Sequence, residues 1–243
     1  MTNSATSATT PQHPNSSKKD INPTAGCGTL YGLGSGPGDP ELITVKALKQ
    51  LQAAPVIAFP AGLNGRPGVA ERTVEPWLSA EQTKLPLHFP YVQDEKELAI
   101  AWEKAAQTVW PYLQTGDVAF ACEGDISFYS TFTYLAQNLK AQQPSAIVKT
   151  IAGISSPMAA AAALGIPLTC GNQNLAVLPA LYNVHQLESA LEWADVIVLM
   201  KVGSVYGRVW KILEQHQLLS HSYVVEHATR DNQVTYTDLK KRP

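Results

Sequence analysis

The sequence predicts an α/β protein, a mostly parallel sheet with helices followed by a second, mixed α/β unit. Three observations carry this. Between Thr29 and Ile151, short apolar runs alternate with stretches of one-faced helical spacing, the order that builds parallel sheets. A glycine-rich stretch, Gly32-Leu33-Gly34-Ser35-Gly36-Pro37-Gly38-Asp39-Pro40, separates the first apolar run from the first helix. A second set of strands and helices then begins after residue 152 and includes the most apolar run of the chain, Val196-Ile197-Val198-Leu199-Met200.

The elements follow in order. Residues 1–26 are small, polar and proline-containing, with no periodicity, and read as a disordered tail. They lack the apolar core of a secretory signal, and they contain no arginine, which argues against a transit peptide. Thr29-Leu30-Tyr31 opens the first strand. Asp39 suits an N-cap and Pro40 a first helical position, so a helix is expected from there to Ala53-Ala54, with Leu42, Val45, Leu48 and Leu51 on its apolar face. Val56-Ile57-Ala58-Phe59 reads as a buried parallel strand. A short helix is expected at 69–78. Residues 85–91 alternate but carry prolines, as an edge strand does. Asp94 and Glu97 have the form of a capping box for a helix through Leu98, Trp102, Ala105, Val109 and Leu113. A strand at 117–122, a helix at 127–142 and a strand at 146–151 complete this part.

In the second part, Met158 to Leu164 is nearly all alanine and can pack close to a neighbour. Strands are expected at 175–178, 196–200, 223–226 and 233–236, with helices at 184–193 and 205–218. The expected domains are therefore 27–151 and 152–243.

Composition narrows the function. The chain of 243 residues is 45% hydrophobic and 16% charged, with a net charge of −2, a balance that favours neither nucleic acid nor an anionic membrane. No apolar run approaches the ~20 residues that span a bilayer. Cys27, Cys122 and Cys170 stand far apart, which fits a reducing, cytoplasmic setting and supplies no metal framework.

The glycine loop points to a ligand, since glycines let a backbone turn sharply and approach closely. It is not a dinucleotide fingerprint. G-x-G-x-x-G fails from Gly32, where it meets Pro37, and from Gly34, where it meets Asp39, and no acid lies between Glu41 and Glu71 to hold a ribose. The segment Leu33-Gly34-Ser35-Gly36-Pro37-Gly38-Asp39-Pro40-Glu41-Leu42-Ile43-Thr44 instead resembles the opening signature of the tetrapyrrole (corrin/porphyrin) methylases. Four further segments match that family in order. They are residues 123–132, from Glu123-Gly124-Asp125 onward; Ile151-Ala152-Gly153-Ile154-Ser155-Ser156; Leu199-Met200-Lys201; and Val225-Glu226-His227-Ala228-Thr229.

The resemblance implies a two-domain tetrapyrrole methylase-like fold that uses S-adenosyl-L-methionine in a cleft between the domains. It implies cofactor contacts at Pro37, Glu123, Gly124, Asp125, Phe128, Ser155, Ser156, Met200 and Ala228, and no resident metal. Phe128-Tyr129-Ser130-Thr131 and the 225–230 turn look most like the branch that methylates C20 of precorrin-2 in cobalamin biosynthesis. A homodimer is the family's usual state. The family normally continues past Pro243 into one more apolar strand, so this chain is expected to lack that strand.

Each site residue also has a plain structural reading. Asp39 is either the catalytic-site acceptor of a pyrrole N–H or only a helix cap. Asp125 could serve only its own turn, and Ser155 and Ser156 could be caps. Met200 could be core, Tyr129 and Trp210 could line a substrate groove or be core, and His227 is the one histidine inside a matching motif. Ile126 and Ala152 replace prolines common in the family, and Pro55 replaces an aspartate. Cobalt-precorrin-2 and uroporphyrinogen III are alternative substrates. Rivals of other classes are a nicotinamide-dependent dehydrogenase and a non-catalytic protein that binds S-adenosylmethionine or tetrapyrrole.

Overall fold

The computed structural model describes residues 27–63, 66–90, 92, 94–179 and 184–242. The expected N-terminal tail lies outside the described residues, as does Tyr91 at the end of the alternating stretch.

Five strands form one sheet in the order β3-β2-β4-β1-β5, with every pairing parallel. They are β1 (Thr29–Gly34), β2 (Val56–Pro60), β3 (Thr83–Leu87), β4 (Val118–Cys122) and β5 (Ile147–Ile151). Strand alternation sends side chains to two cores. On one face Leu30, Val118 and Phe120 pack with Val109 and Leu113 of α3 (Glu95–Leu113) and Leu135 and Leu139 of α4 (Phe132–Gln142). On the other, Leu33, Ile57, Phe59 and Ala121 pack with Leu51 of α1 (Val45–Ala53) and Val74 of α2 (Val69–Val74). Both faces of β4 are covered, so its five residues are all buried and its sequence is uniformly apolar. Trp102 and Tyr134 stack with centroids 4.1 Å apart and tie α3 to α4.

The register decides where the loops go. Gly34 of β1 pairs with Cys122 of β4, and Leu33 with Ile151 of β5. The C-terminal ends of three strands far apart in sequence are therefore neighbours.

The remaining elements are α5 (Ser156–Leu164), β6 (Leu175–Leu178), α6 (His185–Leu191), β7 (Val196–Leu199), α7 (Tyr206–Gln215), β8 (Val224–Glu226) and β9 (Val234–Tyr236). β6 and β7 run parallel, whereas β8 and β9 are antiparallel. Leu187, Val205, Val209 and Ile212 form a small core beneath β6 and β7. The chain then folds back over α7. Trp210 Nε1 donates to the Leu239 carbonyl at 2.7 Å, and Leu239 is fully buried.

Two expectations change. The first helix begins at Val45, capped by Thr44; Asp39 and Pro40 start only a 3-10 turn over Pro40–Leu42. Val45 is 68% exposed, and Ala47 and Leu51 carry the buried face. The helix expected from Ser127 begins at Phe132, because the preceding residues form a site loop. β7 is a strand as expected, with all four residues only half-buried, since among the described residues β6 is its one strand neighbour and the core beneath is small.

Candidate functional site

Three loops leave the adjacent ends of β1, β4 and β5 and touch through their main chains. Gly36 and Gly124 form an antiparallel bridge, with N–H to carbonyl distances of 3.1 and 2.7 Å. Gly34 and Gly153 are closer still. A Cβ on Gly153 would lie 2.5 Å from the Gly124 carbonyl oxygen and 2.7 Å from Gly34 Cα, so only glycine fits there. The spacing of glycines in the sequence thus reflects contact between loops as much as contact with a ligand.

Ser35 anchors the first loop from below. It is fully buried, and its N–H and hydroxyl both donate to the Cys122 carbonyl, at 2.8 and 2.9 Å. Cys122 Sγ lies 3.0 Å from Ser130 Oγ, which also accepts the Phe132 N–H and so marks the start of α4. Burial pushes the Cys122 thiol up, outweighing the Ser130 contact.

Asp125 organises the middle loop. Its Oδ1 accepts from the Ser127 N–H and hydroxyl at 2.8 and 2.5 Å, and its Oδ2 accepts from the Gly153 N–H at 2.7 Å. Burial alone would raise the carboxyl. The hydrogen bonds from the Ser127 hydroxyl and from the N–H groups of Gly153, Ser127 and Ile126 outweigh burial and hold it below the ordinary value. One acid therefore opens its own loop and fastens it to the third.

The 227–230 turn between β8 and β9 closes onto the glycine loop. Thr229 Oγ1 accepts the Asp39 N–H at 3.1 Å, and Arg230 Nη2 donates to Glu123 Oε1 at 2.5 Å. Arg230 Nε reaches the Pro37 carbonyl at 3.5 Å. The Gln233 side chain holds the turn by accepting the Thr229 N–H at 2.6 Å.

Backbone strain gathers in these loops. Of the five non-glycine residues with positive φ among the described residues, Tyr129, His227 and Thr229 lie in them, and Lys201 follows Met200 at the end of β7. For a β-branched residue such as Thr229, φ of 68° is costly and persists only where neighbours over-determine it.

Pro37, Asp39, Glu123, Gly124 and Asp125 are thus brought together. Asp39 does cap its turn, through Oδ1 and the Glu41 N–H at 2.8 Å. Ser155 sits at the N-cap of α5 without a side-chain cap bond, and Ser156 is that helix's first residue. Met200 is half-buried, its N–H bonded to the Leu178 carbonyl at 2.9 Å. Phe128 stacks edge-on against the exposed Tyr129, and Ala228 lies in the β8–β9 turn. Trp210 belongs to α7 and holds the C-terminal segment. Sequence reasoning quoted Arg230 and Thr229 inside a motif but gave them no role. Their partners lie 193 and 190 positions away, and no local signal shows that.

The chain is similar to several known proteins. The chain is 34% identical over 215 residues to the cobalamin biosynthesis protein CobIJ of Mycobacterium tuberculosis, an alignment covering 85% of this chain and 42% of that one. It therefore spans less than half the length of those mycobacterial relatives. The precorrin-2 C(20)-methyltransferase of Sinorhizobium sp is 33% identical, with 85% of this chain and 86% of that one aligned. The cobalt-precorrin-2 C(20)-methyltransferase of Salmonella typhimurium is 32% identical, with 83% and 84% aligned. Among solved structures, cobalt precorrin-4 methyltransferase CbiF superposes with a TM-score of 0.65 at 23% identity, over 88% of this chain and 86% of that one. Uroporphyrin-III C-methyl transferase of Thermus thermophilus, solved with S-adenosyl homocysteine, gives 0.57 at 22%, over 86% and 82%. Those two likenesses establish the fold. The family model of the tetrapyrrole (corrin/porphyrin) methylases matches residues 29–241. Together with the loop geometry at the strand ends, that match over nearly all the described chain makes this protein a member of the tetrapyrrole methylase family.

Proposed function

We propose that this chain is a methyltransferase that moves a methyl group from S-adenosyl-L-methionine to C20 of precorrin-2, a step of cobalamin biosynthesis. The observation that carries the reading is the meeting of the three strand-end loops at Gly34, Gly124 and Gly153. In parallel α/β sheets, ligands sit beyond the carboxyl ends of strands. The names of the Sinorhizobium and Salmonella relatives supply the carbon and the substrate class.

The residues present fit such a cofactor. The side chains of Glu123 and Asp125 are engaged by Arg230 and by Ser127 and Gly153, so their loop would meet the cofactor through main-chain groups. Pro37, Gly124, Phe128, Ser155, Ser156 and Ala228 would line the same cleft, and Met200 would offer a polarizable apolar surface at the end of β7. The cofactor supplies a methyl group already activated on sulfonium. The chain's task is then alignment, which is worth several kcal/mol, and no strong base is needed. Asp39 would accept a pyrrole N–H beside the reacting carbon. Residues 27–151 and 152–243 would form the two walls of the cleft, in a homodimer working in the cytoplasm.

The test is an anaerobic incubation with methyl-labelled S-adenosylmethionine, offering precorrin-2 and uroporphyrinogen III together and reading product masses. One labelled methyl on precorrin-2, located at C20 by NMR, is the expected result. Label on uroporphyrinogen III alone, or on neither, refutes the assignment. The name of the Salmonella relative favours a second reading, with cobalt-loaded precorrin-2 as the substrate, and a parallel incubation separates the two.

A further inference from the structure

We infer that Arg230 is a substrate-positioning residue that takes a rim carboxylate of the tetrapyrrole, which shares the guanidinium with its present partner Glu123 or displaces it. The inference rests on the tetrapyrrole reading above and adds to it a residue and a chemistry.

Arg230 comes from the β8–β9 turn but works at the glycine loop. Its stem packs on Gly38, where an added Cβ would lie 2.5 Å from Arg230 Cγ. Nε points to the Pro37 carbonyl, and Nη2 to Glu123. Among the described residues, Nη1 has no acceptor, so the planar fork is only partly used. The arm is held on both sides, yet a quarter of its side chain remains exposed.

The pair with Glu123 is well placed for exchange. Glu123 is 48% exposed on its side chain, and ion pairs in such surroundings contribute little to stability. A second carboxylate can therefore share or displace Glu123 at small cost. Early tetrapyrroles carry acetate and propionate groups around the ring, and guanidinium binds carboxylates bidentately. Asp39 stands next to the Arg230 anchor, because its own N–H is bonded to Thr229. An acceptor for ring N–H groups thus lies beside a cation for the rim, which is the charge pattern of a polycarboxylate tetrapyrrole.

The test uses the full chain as wild type, Arg230→Gln, Arg230→Lys and Glu123→Gln. Uroporphyrin, a stable octacarboxylate porphyrin, is titrated by fluorescence, and S-adenosylhomocysteine by calorimetry. Arg230→Gln is expected to weaken uroporphyrin binding about tenfold or more, with Arg230→Lys recovering part of the loss. Glu123→Gln is expected to lose less than about threefold or to bind tighter, because the guanidinium is released. S-adenosylhomocysteine affinity should stay within about threefold in Arg230→Gln and Arg230→Lys, and with precorrin-2 the Arg230→Gln defect should fall on KM more than on kcat. Equal losses in Arg230→Gln and Glu123→Gln would mark a tie between loops and overturn the inference, as would unchanged uroporphyrin binding in Arg230→Gln. If Arg230→Gln does not fold, Arg230→Lys against Glu123→Gln makes the same comparison. A wild-type chain that neither binds uroporphyrin nor methylates a tetrapyrrole removes the functional reading itself, and this inference with it.

Discussion

Asp125→Asn separates the architecture of the site from its chemistry. The carboxylate accepts two hydrogen bonds from Ser127 and one from the Gly153 N–H at 2.7 Å, with the Ile126 N–H adding to them. In the variant the remaining carbonyl oxygen can keep Ser127, but the new amide turns N–H groups toward the Gly153 N–H. One charge-assisted bond is lost and a donor faces a donor, a cost of about 2 kcal/mol at pH 7. For a chain of this size that corresponds to roughly 4–8 °C in Tm. The pH dependence follows from the lowered carboxyl of Asp125. A depressed acid contributes its full stability above its unfolded pKa, near about 3.9, and loses it as pH falls through the lower folded value. The gap between wild type and variant should therefore hold from pH 7 to about pH 5 and narrow below about pH 4. Urea unfolding at pH 7 and pH 3.5 measures it. A difference under about 0.5 kcal/mol at pH 7, or one that does not shrink in acid, would refute the account of the loop junction.

Three further outcomes are expected. Gly153→Ala forces a Cβ to 2.5 Å from the Gly124 carbonyl oxygen, so it should cost about 1–3 kcal/mol in thermal or urea unfolding and weaken S-adenosylhomocysteine binding, and a silent variant would disprove the close approach. Asp39→Ala should lose the cap to Glu41, about 1 kcal/mol, and cut turnover while sparing cofactor affinity; Asp39→Asn keeps a capping oxygen, so full turnover in that variant would reduce Asp39 to a cap. Thiol labelling should mark exposed Cys170 first and half-buried Cys27 more slowly, leaving Cys122 unlabelled until unfolding, because burial both shields that thiol and raises its pKa; rapid native labelling of Cys122 would mean the Ser35–Cys122–Ser130 cluster is open.

Much of the fold was legible in the chain. The apolar runs at Val56-Ile57-Ala58-Phe59 and Val118-Ala119-Phe120-Ala121-Cys122 read as buried strands by their short length and lack of polar alternation, and the structure buries them as such. Asp94 announced α3, since a cap needs only its own helix's first N–H groups. Local signals failed where a distant partner competed. The sequence predicts a helix from Ser127, but Asp125 holds Ser127 in a loop fastened to the Gly153 N–H, and α4 begins only at Phe132. Val45 has helical apolar spacing yet faces solvent, because the buried face of α1 is centred on Ala47 and Leu51, which lie about 160° and about 120° round the helix from it.

By itself, then, the sequence determined the elements, the alternation that makes a parallel sheet, and the order of motifs that identifies the family, since these depend on side-chain period, caps and short segments. Only the tertiary structure decided that the loops after β1, β4 and β5 share one junction, and that Arg230 spans 107 positions to reach Glu123. The first comes from strand order and register and the second from the packing of the β8–β9 turn on the glycine loop, and neither leaves any periodic trace along the chain.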